Sequence, residues 1–374
     1  MKILIDAHKI GEKHEGTSTH LIGLYRALMV LKPDWTFVFV GPYLEAMQEA
    51  FGTGENCRYL PLSTTNKFRR LLWDLPQIMR REASDYTHFQ YISPLWSPTP
   101  TLVTIHDLLF LEPEFKHHFP WTYRWLNGLL FRLSAQKAKI LCSVSAYGQN
   151  QLSLRYGIEA QNIVITPNAV STQLTSLEKA KKRVAGYDLD RFILFVSRVE
   201  PRKNHKALWS AFETLALHKQ GFKLVFIGKK EWMDPDLETV MQQSDPSMQE
   251  AVIWLDSVPH EDLWAFYRAA ALFVYPSLGE GFGIPPLEAA VVGTPVVCAR
   301  NTAMVDFDFL PYLVDVNQPE ALGNAINKAL KDTDYPAQQI ATAIQNKYNW
   351  SASAKALIKA IEQNNSKSTA HEAL

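Results

Sequence analysis

The chain has 374 residues, with 38 basic and 38 acidic side chains and a formal net charge of zero. Balanced charge argues against a nucleic-acid binder, and 47% hydrophobic content argues against a disordered chain. The length predicts two domains.

Lys2 to Asp6 reads as a first strand, apolar and buried on both faces. Its early charge leaves no room for a signal-peptide core, and no apolar run approaches the roughly 20 residues of a membrane span. Cys57, Cys142 and Cys298 lie far apart and read as buried thiols of a reducing compartment. A soluble, cytoplasmic protein is expected. A polar loop with Gly11 and Gly16 follows, and Thr17 or Ser18 can cap a helix from His20 to Leu31. Trp35 to Val40 is the next strand, Tyr43 to Phe51 a short helix, and Cys57 to Leu62 a third strand. Lys67 to Glu82 interleaves apolar residues with Arg69, Arg70, Arg80 and Arg81, with a kink expected at Pro76. Such a helix either covers the fold or lies on an anionic membrane surface, and a surface helix of the fold is the preferred reading.

Tyr86 to Phe89 and Thr101 to Ile105 are two more strands, the second ending in His106-Asp107 at the edge where open parallel sheets bind ligands. Phe119 to Lys137 is helical, Ile140 to Val144 a strand, and Ser145 caps a helix to Tyr156. Asn162 to Thr166 closes the first half. Ser171 to Asp190 is polar, lacks a buried strand and marks the domain boundary. Strand and helix alternate again after it: Phe192 to Ser197, Lys203 to His218, Lys223 to Ile227, Asp236 to Gln243, Val252 to Leu255, His260 to Ala270, Leu272 to Tyr275. The alternation predicts an α/β fold of two doubly wound domains with the ligand cleft between them. Pro319 to Lys331 and Trp350 to Gln363 are late helices, the second capped by Ser351, and the tail from Asn364 is expected to fray.

Two clusters carry chemistry. Gly279, Gly281 and Gly283 form a loop between a strand and a helix that begins at Pro285-Pro286 and ends at Gly293, which is anion-binding geometry. Yet Glu280 and Glu288 sit there, and carboxylates accept from sugar or ribose hydroxyls rather than bind phosphate. Arg198, Arg202 and Lys203 follow the strand at Phe192, where cations suit a diphosphate gaining charge as a glycosyl bond breaks. Glycine loop and cations together suit a nucleotide-sugar. For each cluster the bland alternative is a solvated loop.

Together the clusters resemble the retaining glycosyltransferases of family 4, with the GT-B fold of two Rossmann-like domains facing a cleft. Arg198 and Lys203 match the family's R-x4-K pair, and Glu280 to Ala289 matches its Glu-x7-Glu block without a gap. T-I-H-D at Thr104 to Asp107 and S-x-S at Ser143 to Ser145 match more loosely. The resemblance implies that Arg198 and Lys203 hold the diphosphate, Glu288 the ribose, and Glu280 the donor sugar. It gives Gly281, Phe282, Gly283 and Ile284 to the phosphate–sugar link, and His106 to the donor sugar from the other domain. Gly16 and Thr17 would border the substrate, and Val258 the base. The implied chemistry is transfer with retention, with no metal and no cofactor, the nucleotide-sugar being a co-substrate.

Expected domains are 1–172 on the acceptor side, 173–346 for the nucleotide-sugar, and 347–374 as a helix crossing back to the first domain with a frayed tail. Expected partners are a UDP- or GDP-hexose donor and a glycan or lipid-linked acceptor of cell-surface polysaccharide synthesis. Peripheral membrane contact through 67–82 is the further possibility, and no nucleic acid is expected. Asp256, Ala169 in place of the usual hinge glycine, and Asn301 to Asp306 depart from the family pattern. Alternatives are a metal-dependent transferase using Asp188/Asp190, Asp234/Asp236 or Asp306/Asp308, a sugar-nucleotide epimerase of the same fold, and a non-catalytic nucleotide-sugar binder.

Overall fold

Runs such as Tyr86–Gln90 and Thr101–Ile105, buried at every position, need cover on both faces, and parallel sheets flanked by helices provide it. A computed structural model of the chain describes residues 1–12, 16–170, 175–318 and 320–372, with side chains as far as Ser366. It divides into two compact units, Met1–Ala169 with Tyr348–Leu374, and Val170–Lys347.

The first unit holds seven strands: β1 (Lys2–Asp6), β2 (Thr36–Gly41), β3 (Cys57–Pro61), β4 (Tyr86–Gln90), β5 (Thr101–Ile105), β6 (Ile140–Ser143) and β7 (Ile163–Ile165). All are parallel, in the order β3-β2-β1-β4-β5-β6-β7. The second unit holds β8 (Phe192–Val196), β9 (Lys223–Ile227), β10 (Val252–Leu255), β11 (Leu272–Tyr275), β12 (Val296–Ala299) and β13 (Tyr312–Val314), again parallel, in the order β10-β9-β8-β11-β12-β13. Strand order reverses between β1 and β4 and between β8 and β11, and each reversal opens a crevice at the strands' carboxyl ends.

Several expectations need correction. Thr17 and Ser18 are not caps: the helix Gly16–Leu31 already contains them. Glu15 lies outside the described residues, as do 171–174 of the boundary stretch and Pro319. That boundary stretch is not wholly irregular, because Ser176 caps a helix Leu177–Ala185 by accepting from the Lys179 amide. The strand β13 and the helices Pro246–Glu250 and Ala337–Lys347 went unread, being short or weakly patterned. The helix after β8 starts at His205, leaving Lys203 in a 3-10 turn, Pro201–Lys203. Glu288 sits one turn inside the helix Ile284–Val291 rather than opening it.

The stretch from Lys67 to Glu82 is three pieces: an α-turn Lys67–Arg69, a π-helix Arg70–Asp74 and an α-helix Leu75–Glu82. Pro76 lacks the N–H that would bond the Leu72 carbonyl, and the chain widens instead, with the Leu75 amide donating to the Arg70 carbonyl five residues back. The widened turn sends Arg70 inward, where it is buried with its Nε 3.7 Å from Asp6 Oδ2.

The last helix, Trp350–Glu372, does not fray at Asn364. Asn349 rather than Ser351 caps it, by accepting from the Ala352 amide at 2.8 Å. Ala354, Leu357, Ile358 and Ile361 join the first unit's core beside Leu21, Leu24 and Leu28. Gly23 makes the close approach possible: a Cβ there would stand 2.0 Å from the Trp350 ring. Gly23→Ala is therefore expected to destabilise the first unit by about 1–3 kcal/mol, read as a lower melting temperature. Unchanged melting would show that the ring moves aside without cost.

Candidate active site

In the second unit the loops leaving β8 and β11 meet across the strand reversal. The Arg202 carbonyl accepts from the Leu278 amide at 2.7 Å, and Asn204 Nδ2 donates to the Pro276 carbonyl at 3.2 Å. Asn301 Nδ2 joins the loop after β12 by donating to the Ser277 carbonyl at 3.0 Å. This brings Lys203 and Glu280, 77 residues apart, to 2.6 Å between Nζ and Oε1, both side chains buried. The same Oε1 accepts from Ser277 Oγ at 2.6 Å and Tyr275 Oη at 3.0 Å, while Oε2 lies 3.3 Å from Arg202 Nη1. Burial would raise the Glu280 carboxyl, but Lys203 and Arg202 overcome it and hold it at about 2. Burial, with Arg202 nearby, draws Lys203 below the usual lysine range, and Glu280 pulls the other way. Glu280 is therefore ionised at neutral pH.

Arg198 is more exposed and lies between Glu200 at 3.2 Å and Glu231 at 3.1 Å, while Glu200 also pairs with Arg202 at 2.9 Å. The expected division, cations for phosphate and glutamates left for hydroxyls, is therefore not how the chain holds these groups. Each cation already has a carboxylate partner. Three participants were not assigned from the sequence: Arg202, which also donates to the Gly279 carbonyl at 2.9 Å, and the hydroxyls of Tyr275 and Ser277. Arg202 was legible as a third cation. Nothing local marks the two hydroxyls, since only the fold aims them at Glu280.

Gly283 has φ of +96°, a left-handed conformation open to glycine, and it turns the chain into the helix Ile284–Val291. That helix presents its amino end beside Gly281 and Phe282, in the arrangement that favours anions. Thr302, strained at φ of +44°, accepts from the Glu280 amide at 2.9 Å, so this amide already has a partner. Glu288 is held separately, accepting from Tyr267 Oη at 2.7 Å, and burial raises its carboxyl above the ordinary range. Val258 follows β10, two strands from β8 and hence about 10 Å along the sheet.

In the first unit, His106 follows β5 at the same kind of edge. Its Nε2 lies 2.6 Å from Gln90 Oε1, and its ring meets His20 edge-on with centroids 5.1 Å apart. His88 Nε2 bonds Thr104 Oγ1 at 2.9 Å and Gln90 at 3.2 Å, and its Nδ1 bonds Tyr25 Oη at 2.9 Å. Burial pushes all three imidazoles down, His20 to about 4, His88 to about 3, and His106 well below its ordinary value. Each is neutral at pH 7. Tyr91, at φ of +65°, stacks obliquely on His106 at 5.2 Å, reaches Asp107 at 3.4 Å, and hydrogen-bonds Thr17. Thr17 and His106 thus share one end of the sheet, with Gly16 beside them in open space.

The family model described as glycosyl transferases group 1 matches residues 177–346, and that of glycosyltransferase family 4 matches residues 15–174. The O-antigen chain mannosyltransferase B of Escherichia coli is 31% identical over 283 residues, 71% of each chain. The chain is a family 4, group 1 glycosyltransferase. A second Escherichia coli relative, the serotype-specific mannosyltransferase WbdA, is 25% identical over 281 residues, 70% of this transferase but 33% of WbdA. This transferase therefore spans about a third of that relative. The Anabaena protein HepE, crystallised with UDP and glucose, superposes with a TM-score of 0.73 over 97% of the transferase and all of HepE, at 17% identity. At that identity the likeness shows the GT-B fold.

Proposed function

We propose that the protein transfers mannose from a UDP- or GDP-linked donor, with retention of configuration and without a metal, to a glycan or lipid-linked acceptor of a cell-surface polysaccharide. The observation that carries the reading is the buried Lys203–Glu280 ion pair beside Arg202 at the strand reversal of the second sheet. The mannosyltransferase names of the two Escherichia coli relatives supply the sugar.

A leaving nucleoside diphosphate gains negative charge as the glycosyl bond breaks, and fixed cations in a water-poor site stabilise that charge without reorganising. Glu280 fixes Lys203 Nζ through a 2.6 Å contact, and Arg202 and Arg198, held in place by Glu200 and Glu231, stand beside it for the diphosphate. These cations fill the place of a bound metal. The amino end of Ile284–Val291, with Gly281, Phe282 and Gly283, suits the phosphate–sugar link. Glu288 suits the ribose hydroxyls, because a carboxylate anchored by Tyr267 keeps its second oxygen for them. Val258 is kept as the base contact on resemblance alone. A neutral His106 suits a sugar hydroxyl, with Gly16 and Thr17 beside it.

The test is product analysis with UDP- and GDP-sugars and a mannose-terminated acceptor, with the anomeric proton of the product read by NMR. A retained linkage, unaffected by EDTA, is expected. EDTA-sensitive transfer would overturn the metal-free part, and a free epimerised sugar without transfer would favour the epimerase.

A further inference from the structure

Of the ten tryptophans in the chain, five are exposed, and four of these, Trp73, Trp96, Trp121 and Trp125, sit on one part of the first unit. Tryptophan has a large apolar body, and leaving one in water forfeits its burial. Trp73, Trp121 and Trp125 are 63%, 70% and 65% exposed, so the fold does not use them for packing.

Three contacts show that their elements lie side by side. Lys67 Nζ, at the start of Lys67–Glu82, donates to Asn127 Oδ1 at 3.3 Å, in the helix Trp121–Lys137. Farther along, the Arg80 guanidinium lies over the Trp96 ring at 4.4 Å. Lys137 Nζ donates to the Leu95 carbonyl at 2.9 Å, so the Leu95-Trp96 loop joins the far ends of both elements. The two elements therefore run in the same direction. Each turns apolar side chains outward: Phe68, Leu72 and Trp73 on the first, and on the second Trp121, Trp125 and Leu129, which are four residues apart.

Charge selects the occupant. The stretch 67–82 carries five basic residues against two acidic, with Arg70 alone of the five turned inward to Asp6, and Trp121–Lys137 carries three against none. Both acidic residues are engaged, Asp74 with Arg69 at 3.7 Å and Glu82 with Arg58 at 3.0 Å. A second copy of this face would meet like charge. A neutral glycan would leave the excess of basic over acidic side chains, and the leucines, without a counterpart. An anionic bilayer satisfies both sets, aromatic and aliphatic side chains at the headgroup boundary and cations on the lipid phosphates.

We propose that this two-helix face, Lys67–Glu82 with Trp121–Lys137 and the Leu95-Trp96 loop, is a footing that seats the protein on an anionic membrane surface, the tryptophans entering the headgroup layer. It concerns a surface and not the sugar chemistry, and it stands whether or not the donor and acceptor are those proposed above.

The test is flotation of the full chain with phosphatidylglycerol–phosphatidylcholine vesicles and with phosphatidylcholine alone. Tryptophan quenching by lipids brominated near the headgroup is read in parallel. Binding to the anionic vesicles with quenching is expected, weakened at least ~10-fold in Trp73→Gln/Trp125→Gln at unchanged melting temperature. Arg69→Gln/Arg80→Gln is expected to weaken it and to lessen its salt dependence. Absence of flotation overturns the proposal. So does binding that the tryptophan pair leaves unchanged, since the basic stretch alone would then suffice. A wild-type dimer that the tryptophan pair makes monomeric, without vesicle binding, assigns the face to a second copy. Retention by a mannan column but not by vesicles assigns it to glycan.

Discussion

Lys203→Met is expected to cut sugar transfer by about 10²–10³-fold, the loss seen when one preorganised charge on a developing anion is removed. The same substitution is expected to destabilise the second unit by about 3–5 kcal/mol, because it leaves Glu280 buried with one oxygen facing the gap. Arg202 at 3.3 Å and the hydroxyls of Ser277 and Tyr275 offset part of that cost. The two effects separate in the double variant Lys203→Met/Glu280→Leu. Replacing both partners by apolar groups removes the uncompensated charge, so the denaturation midpoint is expected to return close to wild type while transfer stays lost. Initial rates and denaturation curves on the single and double variants check both halves. Transfer that recovered along with stability would give Lys203 and Glu280 a structural part only. Because Ser277 and Tyr275 share Oε1 with the lysine, Glu280→Gln is a milder probe that keeps the shape and removes the charge.

Acid is expected to destabilise the protein well before its carboxylates titrate. His20 is held at about 4, His88 and His205 at about 3, and His106 well below its ordinary value, each chiefly by burial. In the unfolded chain each regains a pKa near ~6.5. Above that pH neither state is protonated and stability does not change. Below it the unfolded chain takes up protons that the folded chain refuses, so stability falls as pH drops from about 6.5 toward about 4. At pH 5 the loss is about 2 kcal/mol per histidine, together a large share of the ~5–15 kcal/mol typical of a domain. Glu280 adds to the fall only lower, between its unfolded value and about 2. Glu288, raised by burial, works the other way, as one group against four.

Three of the histidines belong to the first unit, which is expected to melt first in a pH series from 8 to 5. His205 supplies the control. Neither of its ring nitrogens has a partner, and its ring sits 4.5 Å from Phe195 and 5.9 Å from Trp254. His205→Phe is expected to stabilise the second unit by about 2 kcal/mol at pH 5 and to change little at pH 8. Melting temperatures that stay level to pH 5 would contradict the account.

The sequence by itself was enough to place most of the strands, the alternation with helices and the two site loops. Each depends on local patterning: continuous apolar runs for strands covered on both faces, glycine and proline at the turns, and the Glu280-to-Glu288 spacing that no helix period disturbs. It did not place β13, or the helix Leu177–Ala185, whose hydrophobic face is only Ala180 and Val184. It took Lys67–Glu82 as one kinked helix, because the cost of a missing N–H at Pro76 can be met by a kink or by a widened turn, and only packing against Asp6 selects the second. The cations and glutamates at the site were legible as residue types. Their pairing was not, because Lys203 and Glu280 meet across 77 residues through the neighbouring places of β8 and β11 in the sheet. Likewise His20, His88 and His106 are unremarkable in sequence and become one buried neutral cluster through the order β1-β4-β5. Charge and spacing are properties of the chain, whereas burial and partner choice belong to the folded sheet. The ionisation states that the chemistry needs follow from the latter.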